Sequence, residues 1–510
     1  MVSQIDPTVP VFGTPTTASV RNNFLIARNE ISALQAEVAL LQGEINQGSD
    51  IVGVSVTAFG AKVDGVTDDT NAVNAAFASG QKILFPAGVC VVTNLSTPAV
   101  NTFIQGQSEN TSRIVTKSPT GDVIPITNGG VQISRMGFDS SVPRTSGCYI
   151  HVAASQTRLD HLYMNNAYSA ICVDNNISTC EFDFILIFDS VGLGQDVIIY
   201  GTGLPGPGPV AQYLGHVVMN SNTPHQNNIT IMNCGDLFME YIQSLGADRC
   251  LNINPSSNQS VVSVKTNACY FDHGQTNMSV GPTANGVVAR CQFVNTWFGS
   301  GTSNGALLDG GAGSSYIDGI GFTNCQFVIT GGSGLAILNN TRNVMVSDSL
   351  FAGNPDGIFD QRNPGFDYVT IMNSKIGAGG DLGGNTNGIV THAGGGDYLR
   401  LINNSFAGNN ANNIANASDA THNVIENNVG YNPVGIDVIA TPPASPWTYT
   451  NGPTSSTMYV FDGTITLITV NGTALFNTAP VGVVLVIPLA PNDVVVTTYT
   501  SAPVAHVFIN

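Results

Sequence analysis

Similar short phrases recur through the chain: VSDSLFAG ending at Gly353, IMNSKIGAG ending at Gly379, LINNSFAG ending at Gly408 and IENNVGY ending at Tyr431. An aromatic or aliphatic residue returns at Phe327, Phe351, Ile376, Phe406 and Val429, every 23 to 30 residues. CQFV also occurs twice, at Cys291 and at Cys325. A period of this length marks a solenoid, because one repeat alone cannot bury its apolar face and needs its neighbours. Each phrase is a short alternating strand followed by Gly or Asn, with no helical pattern between phrases. That excludes leucine-rich and ankyrin repeats and favours an all-β fold, a single-stranded parallel β-helix. Asn suits it, since Asn tolerates left-handed turns and stacked amides can form ladders. Residues 403–428 hold ten Asn. About 340 residues at this period give roughly 13 coils and a rod about 60 Å long, at a rung spacing of about 4.8 Å.

The ends read differently. Over 24–48, Phe24, Ile31, Val38 and Ile45 are seven apart, and Ala27, Leu34 and Leu41 interleave with them. This is a heptad with both core positions apolar, an α-helical coiled-coil neck whose role is self-association. Glu30, Glu37 and Glu44 form a solvated flank. Residues 440–510 carry alternating strands with NG and DG turns after Pro442, Pro443 and Pro446, and read as a small antiparallel β-sandwich with Trp447 as an anchor.

Between neck and solenoid, over 51–90, lies FGAKVDGVTDDTNAVNAAF, with Asp64, Asp68 and Asp69. Asp64-Gly65 is a turn pair. Asp68 and Asp69 precede Val73, Ala76 and Phe77, spaced for one helix face, and cap that helix. The strand KILFPAGVCVV follows. The segment therefore reads as a strand-helix-strand cap for the first coil, whose apolar end and sheet edge need covering. The body of the β-helix then spans 91–436.

These stretches resemble a known family. VTAFGAKVDGVTDDTNAVNAAF followed by ILFPAG is similar to the N-terminal signature of the pectate-lyase-like right-handed parallel β-helix superfamily. TTASVRNNFLIARNEISALQAEV resembles the neck of bacteriophage tailspikes, and the C-terminal block resembles the small β-domains that end such proteins. The resemblance implies a homotrimer in the virion tail, made in the host bacterial cytoplasm. It also implies a side groove that binds bacterial surface polysaccharide, which many members cleave by hydrolysis or β-elimination. Residues 1–23 are too few for a large head-binding domain, so attachment is expected through a short peptide or a tail adaptor protein.

Charge narrows the partners. A net charge of −18 disfavours nucleic acid and anionic membranes. There is no apolar run long enough to span a membrane and no signal-peptide pattern at the N-terminus. The nine cysteines show no CxxC spacing and mostly sit in apolar runs, so they are expected to be reduced and buried. Asp356, Asp360 and Asp367 lack calcium-loop spacing and read as turn residues. No metal or cofactor is expected.

Carboxylates in strands are the candidates for chemistry. Glu181 and Asp183 alternate with Phe182 and Phe184, so both acids share a strand face while the phenylalanines are expected in the core. Glu240, with Asp236, lies 32 and 33 residues before Asp272 and His273, about one coil, which places them as neighbours across adjacent rungs. Hydrolysis needs two carboxylates, about 5 Å apart to retain configuration or about 6.5–9.5 Å apart to invert it. Elimination needs a base and a cation, for which Asp160-His161 with Arg158, or His273 with Lys265, are available. Carboxylate-rich, Lys-poor coils favour hydrolysis. Glu109 and Glu426 read as structural. Trp297 and Tyr270 are the candidate glycan-stacking aromatics.

Overall fold

The computed structural model describes residues 24–37, 53–188, 196–201, 208–220, 226–362, 368–391, 398–416, 422–431, 436–440, 442–477 and 484–509. Its body is a right-handed parallel β-helix of about 13 turns. One coil shows the plan. Strand Cys234–Glu240 is followed by left-handed Tyr241, strand Gln243–Leu245, left-handed Gly246 and strand Arg249–Ile253. The next coil repeats it with Ser260–Asn267, Ala268, Tyr270–Asp272, His273 and Thr276–Val280. Each strand pairs in parallel with its counterparts above and below, giving three stacked faces around one core.

Alternation in the sequence drives this packing. In CQFV, Cys291 and Phe293 point inward and are buried, and so are Cys325 and Phe327. The two copies nevertheless occupy different faces. Cys291 lies in strand Val287–Val294, whereas Cys325 precedes strand Gln326–Val328. The phrase satisfies the same in-out pleat at both places, so its recurrence is not the true repeat. Phe327, Phe351 and Ile376 do stack, rung on rung, with the two rings 4.5 Å apart. Val429 departs from that row: it pairs with Ser405 and is exposed, one residue out of line with Phe406.

A column of left-handed residues turns the chain between the first two faces of each coil. It runs through Arg135, His161, Phe184, His216, Tyr241, Ala268, Asn295, Asn324, Asp348, Asn373, Asn403 and Asn427. Asn is the natural occupant of this conformation. In the N-terminal coils rings replace it, each at a small backbone cost.

The N-terminal aspartates act as backbone acceptors. Asp64 Oδ1 accepts from the N–H groups of Val66 and Thr67. Asp68 accepts from the Thr70 N–H at the start of helix Thr70–Ala78 and pairs with Lys117 at 2.6 Å. Asp69 holds the N-cap position but makes no side-chain cap bond. It is buried and accepts instead from Lys62 N at 2.7 Å and Val63 N at 3.0 Å, pinning the preceding loop. The strands of this segment are already rungs of the solenoid, since Ile83–Phe85 and Gly88–Val92 pair with Phe103–Gly106 and Ser112–Thr116.

Two expectations are corrected. Cys148 and Cys172, on neighbouring coils, form a disulfide. The other seven cysteines are free and buried, and burial pushes the Cys90, Cys250, Cys291 and Cys325 thiols up to about 12. Asp360 is not a turn residue. It lies buried in strand Asp356–Arg362, where Arg362 donates through Nε at 2.8 Å and Nη2 at 3.0 Å to its two oxygens. Asp367 falls outside the described residues.

The segment expected to form a neck is a helix over 24–37, with Phe24, Ile31 and Leu34 exposed on the single chain. Residues 1–23 and the rest of the heptad lie outside the described residues. At the C-terminus two four-stranded antiparallel sheets enclose a separate core containing Trp447, Met458, Ile468 and Val507. This unit closes the last coil: Ser455 donates to Glu426 Oε1 at 2.7 Å, and Asn492 donates to the Asn423 carbonyl at 2.8 Å.

Candidate functional site

Parallel register gathers charged and aromatic side chains on the outer surface of one face. One row runs Arg158, Glu181, Tyr213, Phe238, Lys265. The row beside it runs Asp160, Asp183, Gly215, Glu240, Asn267. The left-handed column borders them with His161, Phe184, His216 and Tyr241. Asp183 and Glu240 thus stand in one row, two rungs apart, separated only by Gly215. Two rungs set their backbones about 10 Å apart.

Tyr213 fills the gap. Its ring lies across Gly215, where a Cβ would collide with the phenol edge. The hydroxyl is raised above its usual value by burial and by Asp183, Glu240 and Glu181 around it. Tyr213 also stacks on Phe238 at 6.1 Å.

Each carboxylate is held differently. Asp183 Oδ1 accepts from His216 Nδ1 at 2.9 Å and from the Phe184 N–H at 3.1 Å. His216 is itself sandwiched between Phe184, at 4.5 Å and 4°, and Tyr241, at 4.9 Å. His161 closes the stack on Phe184 at 4.7 Å and bonds Asp160 Oδ1 through Nδ1 at 2.8 Å. Glu240 Oε1 accepts from Asn267 Nδ2 at 2.9 Å. Arg158 Nη2 lies 3.5 Å from Glu181 Oε1. A cavity of about 220 Å³, lined in part by Phe103, Gln132, Ser134, Arg158 and Asp160, opens on the same face toward the N-terminal end.

Glu181, Asp183 and Glu240, singled out from sequence, therefore share one outer face with Arg158, Asp160 and His161. Phe184 is a correction: its left-handed backbone turns the ring out of the core, and only Phe182 is buried. The expected Glu240–Asp272 contact is also corrected. Glu240 pairs with Asn267, whereas Asp272 pairs with Leu245 and Gly299 beyond the left-handed turn, on another face. Asp236 is exposed at the far end of its strand, in a second left-handed row with Ser263 and Arg290. His273 and Lys265 do not come together, being on different faces.

Asp272, His273, Tyr270 and Trp297 form their own cluster. Asp272 is buried, with Oδ2 accepting from Tyr270 at 2.8 Å and paired with His273 Nδ1 at 2.9 Å. Burial and that hydrogen bond push the Tyr270 hydroxyl up to about 12. Tyr270 and Trp297 stack on each other at 5.4 Å, so their inner faces are already occupied. Sequence reasoning missed Tyr213, His216 and Gly215. Their signal, a Gly between acids of flanking rungs, exists only once the register is known. Among the described residues no cluster of three or more His, Cys, Asp or Glu is arranged to hold a metal.

No protein-family model matches the chain, and no curated protein does. Solved structures do. The A-module of a mannuronan C-5 epimerase from Azotobacter vinelandii aligns with a TM-score of 0.51 at 12% identity, over 74% of this chain and 99% of that one. A mutant tailspike protein of E. coli bacteriophage HK620, in complex with a pentasaccharide, aligns with a TM-score of 0.50 at 10% identity, over 90% of this chain and 93% of that one. The chain thus shares the right-handed parallel β-helix fold of phage tailspikes and polysaccharide-acting enzymes.

Proposed function

We propose that the chain is a phage tailspike that binds a bacterial surface polysaccharide, O-antigen or capsule, along the Asp183–Glu240 face and hydrolyses it. The observation that carries this reading is the placement of Asp183 and Glu240 in one row with Gly215 between them. Side chains projecting from backbones about 10 Å apart suit the carboxyl separation of about 6.5–9.5 Å that leaves room for a water molecule, the arrangement of inverting hydrolysis. Asp183, held through Oδ1 by His216 and a backbone N–H, acts as the base toward that water. Glu240 delivers the proton to the leaving oxygen. Tyr213 presents its hydroxyl between them to the sugar. The exposed apolar neck joins three copies, and residues 1–23 dock on a tail protein.

The test is incubation of the purified chain with a panel of purified O-antigens and capsular polysaccharides. Oligosaccharides should appear whose new anomeric centre is inverted, read by proton NMR of the fresh product. A glycan that binds and keeps its length leaves a receptor-binding spike without catalysis. One observation favours a second reading: His161, hydrogen-bonded to Asp160 on the same strand as Arg158 and one rung from Glu181, supplies a base near a cation, as β-elimination requires. Products absorbing in the ultraviolet as unsaturated uronates would select it.

A further inference from the structure

Glu240 is the end of a hydrogen-bonded chain that runs away from the site. Asn267 Nδ2 donates to Glu240 Oε1 at 2.9 Å, Asn295 Nδ2 donates to Asn267 Oδ1 at 2.9 Å, and Asn324 Nδ2 donates to Asn295 Oδ1 at 2.7 Å. The three amides come from three successive coils. Their direction follows from chemistry. Oε1 of Glu240 accepts whether the group is ionised or carries its proton on the other oxygen, so Asn267 turns its NH₂ group toward Glu240 and its oxygen the other way. That oxygen takes its donor from Asn295, whose own oxygen takes one from Asn324. All three amide dipoles therefore point their positive ends at one carboxylate. Hydrogen bonds in such a row polarise one another and strengthen the last.

Asn295 and Asn324 also sit where the left-handed column changes character. Rings occupy it from His161 to Tyr241, Ala268 follows, and Asn295 and Asn324 begin its asparagine half. Asp183 is thus held by the ring part of the column, and Glu240 by Asn267 backed by the amide part.

We propose that Asn267, Asn295 and Asn324 are positioning residues that fix the rotamer of Glu240 and stabilise the carboxylate it becomes on giving up its proton, across three coils. This rests on the reading of Glu240 as part of the reactive pair, yet it is measurable without turnover. The full-length chain contains seven glutamates. Labelling glutamate with ¹³C at the side-chain carboxyl gives one signal each, and Glu240→Gln identifies the Glu240 signal by its loss. Asn295→Gly and Asn324→Gly remove the amide and suit the left-handed backbone, with φ of 51° and 52°, so they keep the fold. Asn267→Ala removes the final donor.

The expected result is a displaced Glu240 signal in Asn267→Ala, a smaller displacement in Asn295→Gly and the smallest in Asn324→Gly, with Glu181 and Glu426 unmoved. Where a glycan is cleaved, kcat should fall about tenfold in Asn267→Ala at unchanged KM, the rate equivalent of losing one hydrogen bond to a charged group. A Glu240 signal unmoved by Asn295→Gly in a variant of unchanged melting temperature overturns the relay. A moved signal with no glycan cleaved by the parent chain supports the relay and removes the catalytic reading instead.

Discussion

Tyr213 and Gly215 are mutually required: the phenol ring lies over the glycine so closely that no Cβ fits beneath it. Gly215→Ala should therefore push the ring aside and, since that ring is only half-buried and can move, destabilise the coil by about 1 kcal/mol or less. Removing the ring removes the conflict. In a Tyr213→Ala background the same Gly215→Ala change should be nearly silent, and a double-mutant cycle of melting temperatures measures the coupling. Additive effects would show that the two do not touch.

Phe184 should matter to catalysis more than to stability. Its ring is partly exposed, so Phe184→Ala gives up little core burial. It does remove one wall of the sandwich that holds His216 against Asp183. The expected outcome is a small change in melting temperature with a fall in kcat of about tenfold or more, read from glycan-release kinetics.

His151 gives the solenoid a pH-dependent pin. Asp122, through a hydrogen bond to Nδ1, raises it against the effect of burial, and Asp174 at Nε2 adds to this, lifting it from 6.5 to about 9. A histidine whose folded value is raised contributes stability that is fully present below pH 6.5 and is lost as pH rises through about 9. At ~1.4 kcal/mol per unit the loss is on the order of 3 kcal/mol. Urea unfolding midpoints should fall across that window in the parent chain and stay flat in His151→Asn.

The first coil depends on Asp69 rather than Asp64. Asp69→Ala leaves the Lys62 and Val63 N–H groups without their acceptor beside the core, a loss on the order of 3 kcal/mol. Asp64→Asn, at the exposed start of strand Asp64–Asp68, should move the melting temperature little. Equal effects of the two changes would contradict this division.

The solenoid was legible because its core obeys a local rule. Phe327, Phe351 and Ile376 return at nearly constant spacing and each must face inward, so a pattern in one dimension reports stacking in three. The site follows a rule the sequence does not print. Whether Glu240 meets Asp272 or Asn267 depends on where each coil makes its left-handed turn. Spacing alone places position 272 one coil above Glu240, but the turn at Ala268 sends Tyr270–Asp272 to another face. Phe184 shows the same limit, since alternation puts it in the core and the backbone at that residue reverses it. Glu181 and Asp183 were found because they lie before the turn, where alternation still holds. Gly215 carried no signal alone, and acquires meaning only between Asp183 and Glu240.

The most direct test is the chain length of a bound bacterial surface polysaccharide after incubation with the parent chain, Asp183→Asn and Glu240→Gln, followed by size-exclusion chromatography. The parent should shorten the polymer. Each variant should bind it comparably and shorten it at least about a hundredfold more slowly, the share of rate that general acid–base groups supply. Shortening by both variants at the parental rate would contradict the assignment of this face as the site of cleavage.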